Sequence, residues 1–580
     1  MLKQYEKTSQ LEKDLGSMSD ESNLFSFNNI LSLDEKSVFP EQQADFLYKL
    51  GLADYFIPVN LGGKLQSFEE FISLWRSIFR RDATLGLGFG LTTFMAAVSG
   101  IYFGSDEIKK QIVKTIKNQK SISVAYHEED HGNDLLHAEV FGEVTSDAIK
   151  LTGKKLVINN AAISGGLTVF CRTSQKAGAR AFSLIYVNKE NCNNSTLNYH
   201  EKISTLGVRG CKISGVEFNQ TSAPLNSIIS KLGNGLEVTL KAFQITRATL
   251  PGMSIGIVDT ALRKTFEFAN SRVLYGSKIL SFTHVYETLV DAYIDISISD
   301  CVSLMSARSL HVITEQMSVI SALTKFYIPK KLQNTLNDLS VILGARQYVR
   351  EGHENEYAIF QKLMRDYPVI SLAHANDVVC ASTIIAQLKY LLWNNSASFQ
   401  DQSVVKKIFS LDEKLPEFDA DKLSISNHGR NSILESLAYL YHLISEINNN
   451  KIIDLMNDVC LKVKSSLTKI SDSLYELKYK IKYVSLIIKD FDMQAYDCVE
   501  KYCQAHVAIS CILFWVYNLK KISPWFDEGI WLVLALQKIN NNYIDIEKEI
   551  QKSFQNKTLI NIEYLVKENI SFSLVPVKFQ

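Results

Sequence analysis

The spacing of apolar residues along this chain changes twice, and few folds accommodate such a switch. From about residue 30 to residue 120 the apolar positions lie on helical faces, as in FPEQQADFLYKLGLADY with Phe46, Leu47, Leu50 and Leu52. From Ser121 to about Leu225 the period is two. β-Branched and aromatic residues alternate with polar ones at Lys155 to Ile158, Thr168 to Phe170, Phe182 to Val187 and Val216 to Phe218. After Gly233 the helical spacing returns and holds to about residue 568. Strands set between two helical stretches predict a small β-barrel with helical domains before and after it.

At 580 residues the chain is too long for one core. Lys plus Arg and Asp plus Glu both number 62, and no basic tract is present, so nucleic acid is not an expected partner. Nine cysteines lie scattered without CxxC pairs or metal-type spacing. They read as free thiols of a reducing compartment, with no metal site expected. The opening MLKQYEKTSQLEKDLGSMSDESN is polar and acidic, unlike a secretory or transit sequence, which predicts a cytoplasmic protein. Two apolar runs invite a membrane reading. Thr84 to Ser105 carries several glycines and serves equally as a buried helix, while Ala505 to Leu519 falls short of the roughly 20 residues a span needs. A membrane partner is therefore not expected.

The chain divides by these signals into a flexible N-terminus (1–30), an N-terminal helical domain (31–120), the barrel (121–228), a helical bundle (229–396) and a C-terminal helical extension (397–580). Ser105 with Glu107 after it predicts a capped helix start. Helices over about 285–316 and 319–343 join the one after Gly233 and the segment after Asp366 in a four-helix bundle. Residues 400–430 read as a polar loop, and Asn448 to Asn450 and Asn540 to Asn542 interrupt the helices beyond it.

The densest chemistry lies in SISVAYHEEDHGNDLLHA, residues 121–138. His127, Glu128, Glu129, Asp130 and His131 crowd ahead of Gly132, whose freedom allows a sharp turn with amides aimed at a ligand. A solvated acidic loop would look the same. Downstream come LTGKKLVINNA (151–161) and LGVRGCKISGVEFNQTSAP (206–224).

HEEDHGND and these two stretches, in this order and at this spacing, resemble the acyl-CoA dehydrogenase segments TEPxxGSD, L(N/D)GxKxWITNA and LGxRGSxxxxVxFxxVxVP. FANSRVLYGSKI (268–279) resembles that family's YAxxRxxFGKxI. The resemblance implies a mainly α protein with a central β-barrel: helical N-domain, barrel, four-helix bundle, and an added C-terminal helical domain like that of long-chain members. It further implies FAD, an acyl thioester substrate on CoA or a carrier protein, a homodimer or homotetramer, and an electron acceptor or flavin reductase.

Residue by residue the likeness is uneven. His127 and Asn133 stand where the family has a Thr and a Ser facing the flavin, and Val157 and Asn159 stand in its WIT. Arg272 and Tyr275 keep the arginine and aromatic that meet the adenine dinucleotide, and Asn376 joins this cofactor group. Val341 and Ala345 replace the glutamine and second glycine of QxxGGxG. Arg247 matches the bundle arginine and, with Asn133, is expected to hold substrate.

Removing hydrogen from Cα and Cβ of a thioester requires a base, an enolate-oxygen site and a hydride acceptor. The family's base is the glutamate of YEGT after RDxxI; here RDYPVISLAHAN (365–376) puts His374 at that position. Three readings stay open. Imidazole, with a reference pKa of about 6.5, is itself the base; Glu128, Glu129 or Asp377 reaches in; or the dehydrogenation chemistry is lost. The last leaves a flavin monooxygenase or oxidase, or a non-catalytic binding or assembly subunit, on the same fold.

Overall fold

The computed structural model describes residues 5–350, 355–393, 402–445, 450–480 and 493–579. It divides into two compact units: residues 17–246 with 362–369, and residues 1–16, 247–361 and 370–580.

The first unit begins with helices Phe27–Glu35, Glu41–Lys49, Phe68–Arg81 and Asp106–Lys117, the last capped by Ser105, whose hydroxyl accepts from the Ile108 amide at 3.4 Å. The apolar run Ala83–Phe103 is helical and buried as far as Ile101. Its glycines are set by packing: a Cβ on Gly88 would lie 2.2 Å from the Phe39 ring, and one on Gly90 2.1 Å from the Trp75 indole nitrogen.

Eight strands follow among the described residues: β1 (Ile122–Ala125), β2 (Phe141–Val144), β3 (Ala148–Asn159), β4 (Gly166–Arg172), β5 (Phe182–Asn188), β6 (Leu197–Tyr199), β7 (Ile213–Pro224) and β8 (Ile228–Ile229). They pair in the order β6-β7-β3-β2-β4-β5-β8, with β1 parallel to β4. Alternate side chains such as Ile149, Leu151, Val169, Ile185, Val216 and Phe218 fill one core, as the period of two requires. Register slips between β3 and β7 at Leu151/Gly153 and at Lys155/Ile158. The second slip puts Val157 at φ 57°, which is costly for a β-branched residue.

The second unit holds most of the bundle: the part of helix Gly235–Ser271 from Arg247 onward, Thr283–Val312, Met317–Leu343 and Asp377–Trp393. Of the extension, Gln402–Phe409, Asn450–Lys480, Met493–Asn518, Ile530–Ile539 and Lys548–Lys567 are helical. Buried Arg308 donates to the carbonyls of Ile408 (2.7 Å), Lys407 (2.9 Å), Ser410 (2.7 Å) and Glu413 (3.0 Å), anchoring the end of the first of these helices. The tail folds onto the bundle. Asp259 accepts from the Phe572 amide at 2.7 Å, Asp300 from the Ser573 hydroxyl at 2.5 Å and the Leu574 amide at 2.8 Å, and Arg263 donates to the Ile570 carbonyl at 2.5 Å.

Two expectations change. Residues 5–30 are not a flexible lead: Glu6–Leu15 is helical with Leu11 and Leu15 buried, and Met18, Phe25 and Phe27 are buried as well. Packing orders a segment whose composition alone suggested mobility. The polar stretch 400–430 opens with the helix Gln402–Phe409. Among the described residues two stretches are long and apolar enough to cross a membrane: Ala83–Phe103, buried as the sequence allowed, and Tyr357–Leu392, which is divided into the helices Asn355–Asp366, Pro368–Leu372 and Asp377–Trp393. Ala505 to Asn518 lies inside the largely buried helix Met493–Asn518. Asn448 and Asn449 lie outside the described residues.

Candidate functional site

In the first unit the candidate residues surround the end of β1 and the slipped part of β3. The His127 ring nitrogen Nδ1 meets the Leu156 carbonyl at 3.2 Å. Beside it Lys155, fully buried, donates to Glu128 at 2.6 Å and to the Tyr126 carbonyl at 3.0 Å. Glu128 also accepts from the Glu139 and Val140 amides at 2.7 and 3.1 Å. Burial pushes its carboxyl up, but Lys155 and the two amides outweigh this and hold it below the usual range. Three donors and an ion pair hold it, so Glu128 is a structural anion rather than a free base. Glu129 is exposed on a loop that helps to line an acidic cleft of about 640 Å³. Asn133 is exposed too, beyond the turn made by Gly132 at φ 40°.

Asn159 donates its amide to Thr92 Oγ1 at 2.7 Å, while its Oδ1 is buried without a hydrogen-bond partner. Val157 is 52% exposed.

In the second unit Arg247, Lys325 and His374 come together. Arg247 Nε donates to the His374 carbonyl at 2.9 Å, and Lys325 Nζ donates to the Ile370 carbonyl. The turn carrying His374 is strained: His374 has φ 54° and Ala375 φ 101°, both in the region that favours glycine. Burial above all, then the charges of Lys325 and Arg247, pushes the His374 imidazole well below its ordinary value. Burial likewise lowers Lys325 to about 7, with Cys380 opposing and Arg247 adding to the shift. His374 is thus neutral near neutral pH and Lys325 is poised between its two states. Asn376 caps the next helix, its Oδ1 accepting from the Val379 amide at 3.0 Å, and Asp377 is exposed at that helix's start.

Arg272, Tyr275, Val341 and Ala345 lie apart from this cluster in their surroundings: all are exposed, Tyr275 by 97% on the turn between β9 (Val273–Leu274) and β10 (Ser277–Lys278). The sequence reading missed Lys325. Its signal was a lone lysine within the apolar helix run SALTKFYI, on one face with Ala322 and Ile328.

Residues 123–221 match the family model described as acyl-CoA dehydrogenase, middle domain, and residues 233–388 the one described as acyl-CoA dehydrogenase, C-terminal domain. The chain is 22% identical over 323 residues to a cyclohex-1-ene-1-carbonyl-CoA dehydrogenase of Syntrophus aciditrophicus, covering 55% of this chain and 77% of that protein. Among solved structures, an acyl-CoA dehydrogenase complexed with FAD from Bacillus anthracis is similar over 98% of this chain and 95% of its own, at TM-score 0.71 and 13% identity. The prolyl acyl carrier protein oxidase AnaB is similar over 66% of this chain and 98% of its own, at TM-score 0.59 and 16% identity. The Bacillus likeness takes in the C-terminal extension; the AnaB likeness is limited to about two thirds of the chain.

Proposed function

Because the chain belongs to the acyl-CoA dehydrogenase family of oxidoreductases, we propose that it is an FAD-dependent enzyme that removes hydrogen from Cα and Cβ of an acyl thioester. The observation that carries this reading is the turn at His374 and Ala375. The chain keeps two consecutive left-handed residues there, one of them an alanine where the family's YEGT has glycine. Strain of this kind persists where surrounding structure enforces it, and it clusters at functional sites.

The residues present suit the cofactor. Asn159 Oδ1 is a buried acceptor lacking a donor, which a flavin ring N–H would satisfy. Arg272 and Tyr275 are open to solvent for a dinucleotide, and a Cβ built on Gly344 meets nothing within 4 Å. FAD, when bound, accepts the β-hydride. His127 and Asn133 would take part in holding it, and Arg272 and Tyr275 its dinucleotide end. His374, neutral, takes the α-proton. Arg247 fixes the backbone of that turn and holds the polar arm of the substrate. In this reading the chain works in the cytoplasm as a homo-oligomer, with the exposed Val273, Leu274 and Tyr275 meeting a second copy, and passes electrons to an external acceptor.

A second reading is an oxidase acting on a carrier-protein thioester. Val157, half exposed where the family has tryptophan, leaves the cofactor edge less shielded from oxygen. The test is the visible spectrum of the purified full chain before and after anaerobic addition of a panel of acyl-CoAs. A yellow protein that bleaches supports dehydrogenation. Yellow without bleaching moves the assignment to the oxidase, and protein that stays colourless with added FAD overturns both. His374→Ala should abolish bleaching; unchanged bleaching removes the histidine from its role.

A further inference from the structure

Four lysines are buried among the described residues: Lys155, Lys264, Lys325 and Lys362. Three of them meet a carboxylate: Lys155 meets Glu128 at 2.6 Å, Lys264 meets Glu267 at 2.7 Å, and Lys362 meets Asp82 at 2.7 Å. Lys325, only 2% exposed, meets the Ile370 carbonyl instead, the one hydrogen bond of its amine among the described residues. Taking an amine out of water for a single neutral acceptor is unfavourable, and a methionine of similar length would fill the same space without that penalty. What the lysine supplies is the bond itself.

That bond holds one end of a segment with little to hold it from within. The helix Pro368–Leu372 has five residues, little more than one turn, and the last carbonyls of a helix find no partner along it. Directly beyond it come His374 at φ 54° and Ala375 at φ 101°, a conformation such residues keep only where their surroundings impose it. Two basic side chains from two other helices reach this segment. Lys325, from Met317–Leu343, donates to the Ile370 carbonyl ahead of the strained pair; Arg247, from Gly235–Ser271, donates to the His374 carbonyl within it at 2.9 Å. A protonated and a neutral amine both carry N–H donors, so Lys325 can make its bond in either state.

We propose that Lys325 is a positioning residue for His374: its bond to the Ile370 carbonyl, together with the bond from Arg247 to the His374 carbonyl, braces the turn from which the imidazole is aimed. The importance of that aim for proton transfer rests on the function proposed above; the brace does not.

Two measurements on the full-length protein test this. Labelling with diethyl pyrocarbonate, read by mass spectrometry, compares His374 with His506, a wholly buried histidine of the helix Met493–Asn518, and needs neither flavin nor turnover. Lys325→Met should speed labelling of His374 at least about tenfold while His506 stays unchanged, and Lys325→Arg, which keeps a donor, should restore the natural rate. Anaerobic bleaching of the flavin by butyryl-, octanoyl- and palmitoyl-CoA separates rate from affinity. With whichever of these bleaches the natural protein, Lys325→Met should lower the limiting rate at least about tenfold and move half-saturation by less than about threefold, with the rate recovered in Lys325→Arg. Unchanged labelling of His374 overturns the brace. So does labelling that rises at both histidines together, which marks general loosening, or equal effects of the methionine and arginine variants. Faster labelling with an unchanged bleaching rate overturns the positioning role. If no thioester bleaches the natural protein, the function proposed above fails and the labelling alone decides the brace.

Discussion

Lys325 and Lys362 are the same residue type, each about 2% exposed, and their environments drive them in opposite directions. Lys362 sits with Asp82 and Asp366 and also meets the Thr84 hydroxyl at 3.4 Å. Burial would lower it, yet Asp366, Asp82 and Asp34 together raise it far above the ordinary lysine value. Lys325 shares its interior with another cation and falls to about 7. The Lys362 network joins distant parts of the chain: Asp366 accepts from the Val208 amide at 2.6 Å, and Arg365 donates to Asp34 at 2.6 Å. Burial of a charge therefore does not mark a site by itself. The sign of what surrounds the charge separates a group that ties the fold from one that burial only penalises.

The sharpest way to break that contrast is to remove both lysines. Lys362→Met leaves Asp82 and Asp366 uncompensated and should cost about 3–5 kcal/mol in urea unfolding. Lys325→Met removes an unfavourable charge and should cost little. Similar losses for the two would end the distinction.

A pH series sharpens it. The folded-state pKa of Lys325 lies near 7, below its unfolded value of 10.5, so between those values the unfolded chain binds more protons. The lysine's penalty is full below pH 7 and is relieved as pH rises toward 10. The natural protein should therefore gain on Lys325→Met by up to about 1.4 kcal/mol per pH unit across that window, in denaturant midpoints at pH 7 and 9. A flat difference would show the lysine is already paired.

Glu128→Gln takes the counter-charge from Lys155 but leaves one acceptor, and should cost about 2 kcal/mol in the same assay. A neutral result would mean that the pair contributes nothing to the barrel. The smallest effect is expected at the strained turn. Ala375→Gly relieves the positive φ at the expense of backbone entropy and should stabilise by about 1 kcal/mol or less. Destabilisation there would show that the alanine methyl packs more than it strains.

Much of the fold was legible because it depends on local pattern. The change of period located β1 to β8, and Ser105 ahead of two acids marked a helix start that its hydroxyl caps. The N-terminal helix was not legible, because Leu11 and Leu15 are sparse in a polar run and only packing orders them. Arg247 and His374 were singled out from motif position, but the bond between them spans 127 residues. Glu128 looked available because its partner Lys155 lies 27 residues away on another strand. Lys325 was overlooked because a lysine in an apolar helix usually extends its amine to water, and only the packing shows that this one does not. Asn376 could have been read differently: an asparagine just before Asp377 and two valines is an ordinary helix-start signal.

The docked tail sets an order on how this protein comes to exist. Asp259 and Asp300 are made 313 and 273 residues before the backbone and hydroxyl groups that satisfy them. At roughly 5–20 residues per second, the bundle emerges from the ribosome tens of seconds before its buried aspartates acquire those partners. Through that interval the growing chain depends on water or a chaperone to cover two carboxylates that residues 572–574 will eventually seal.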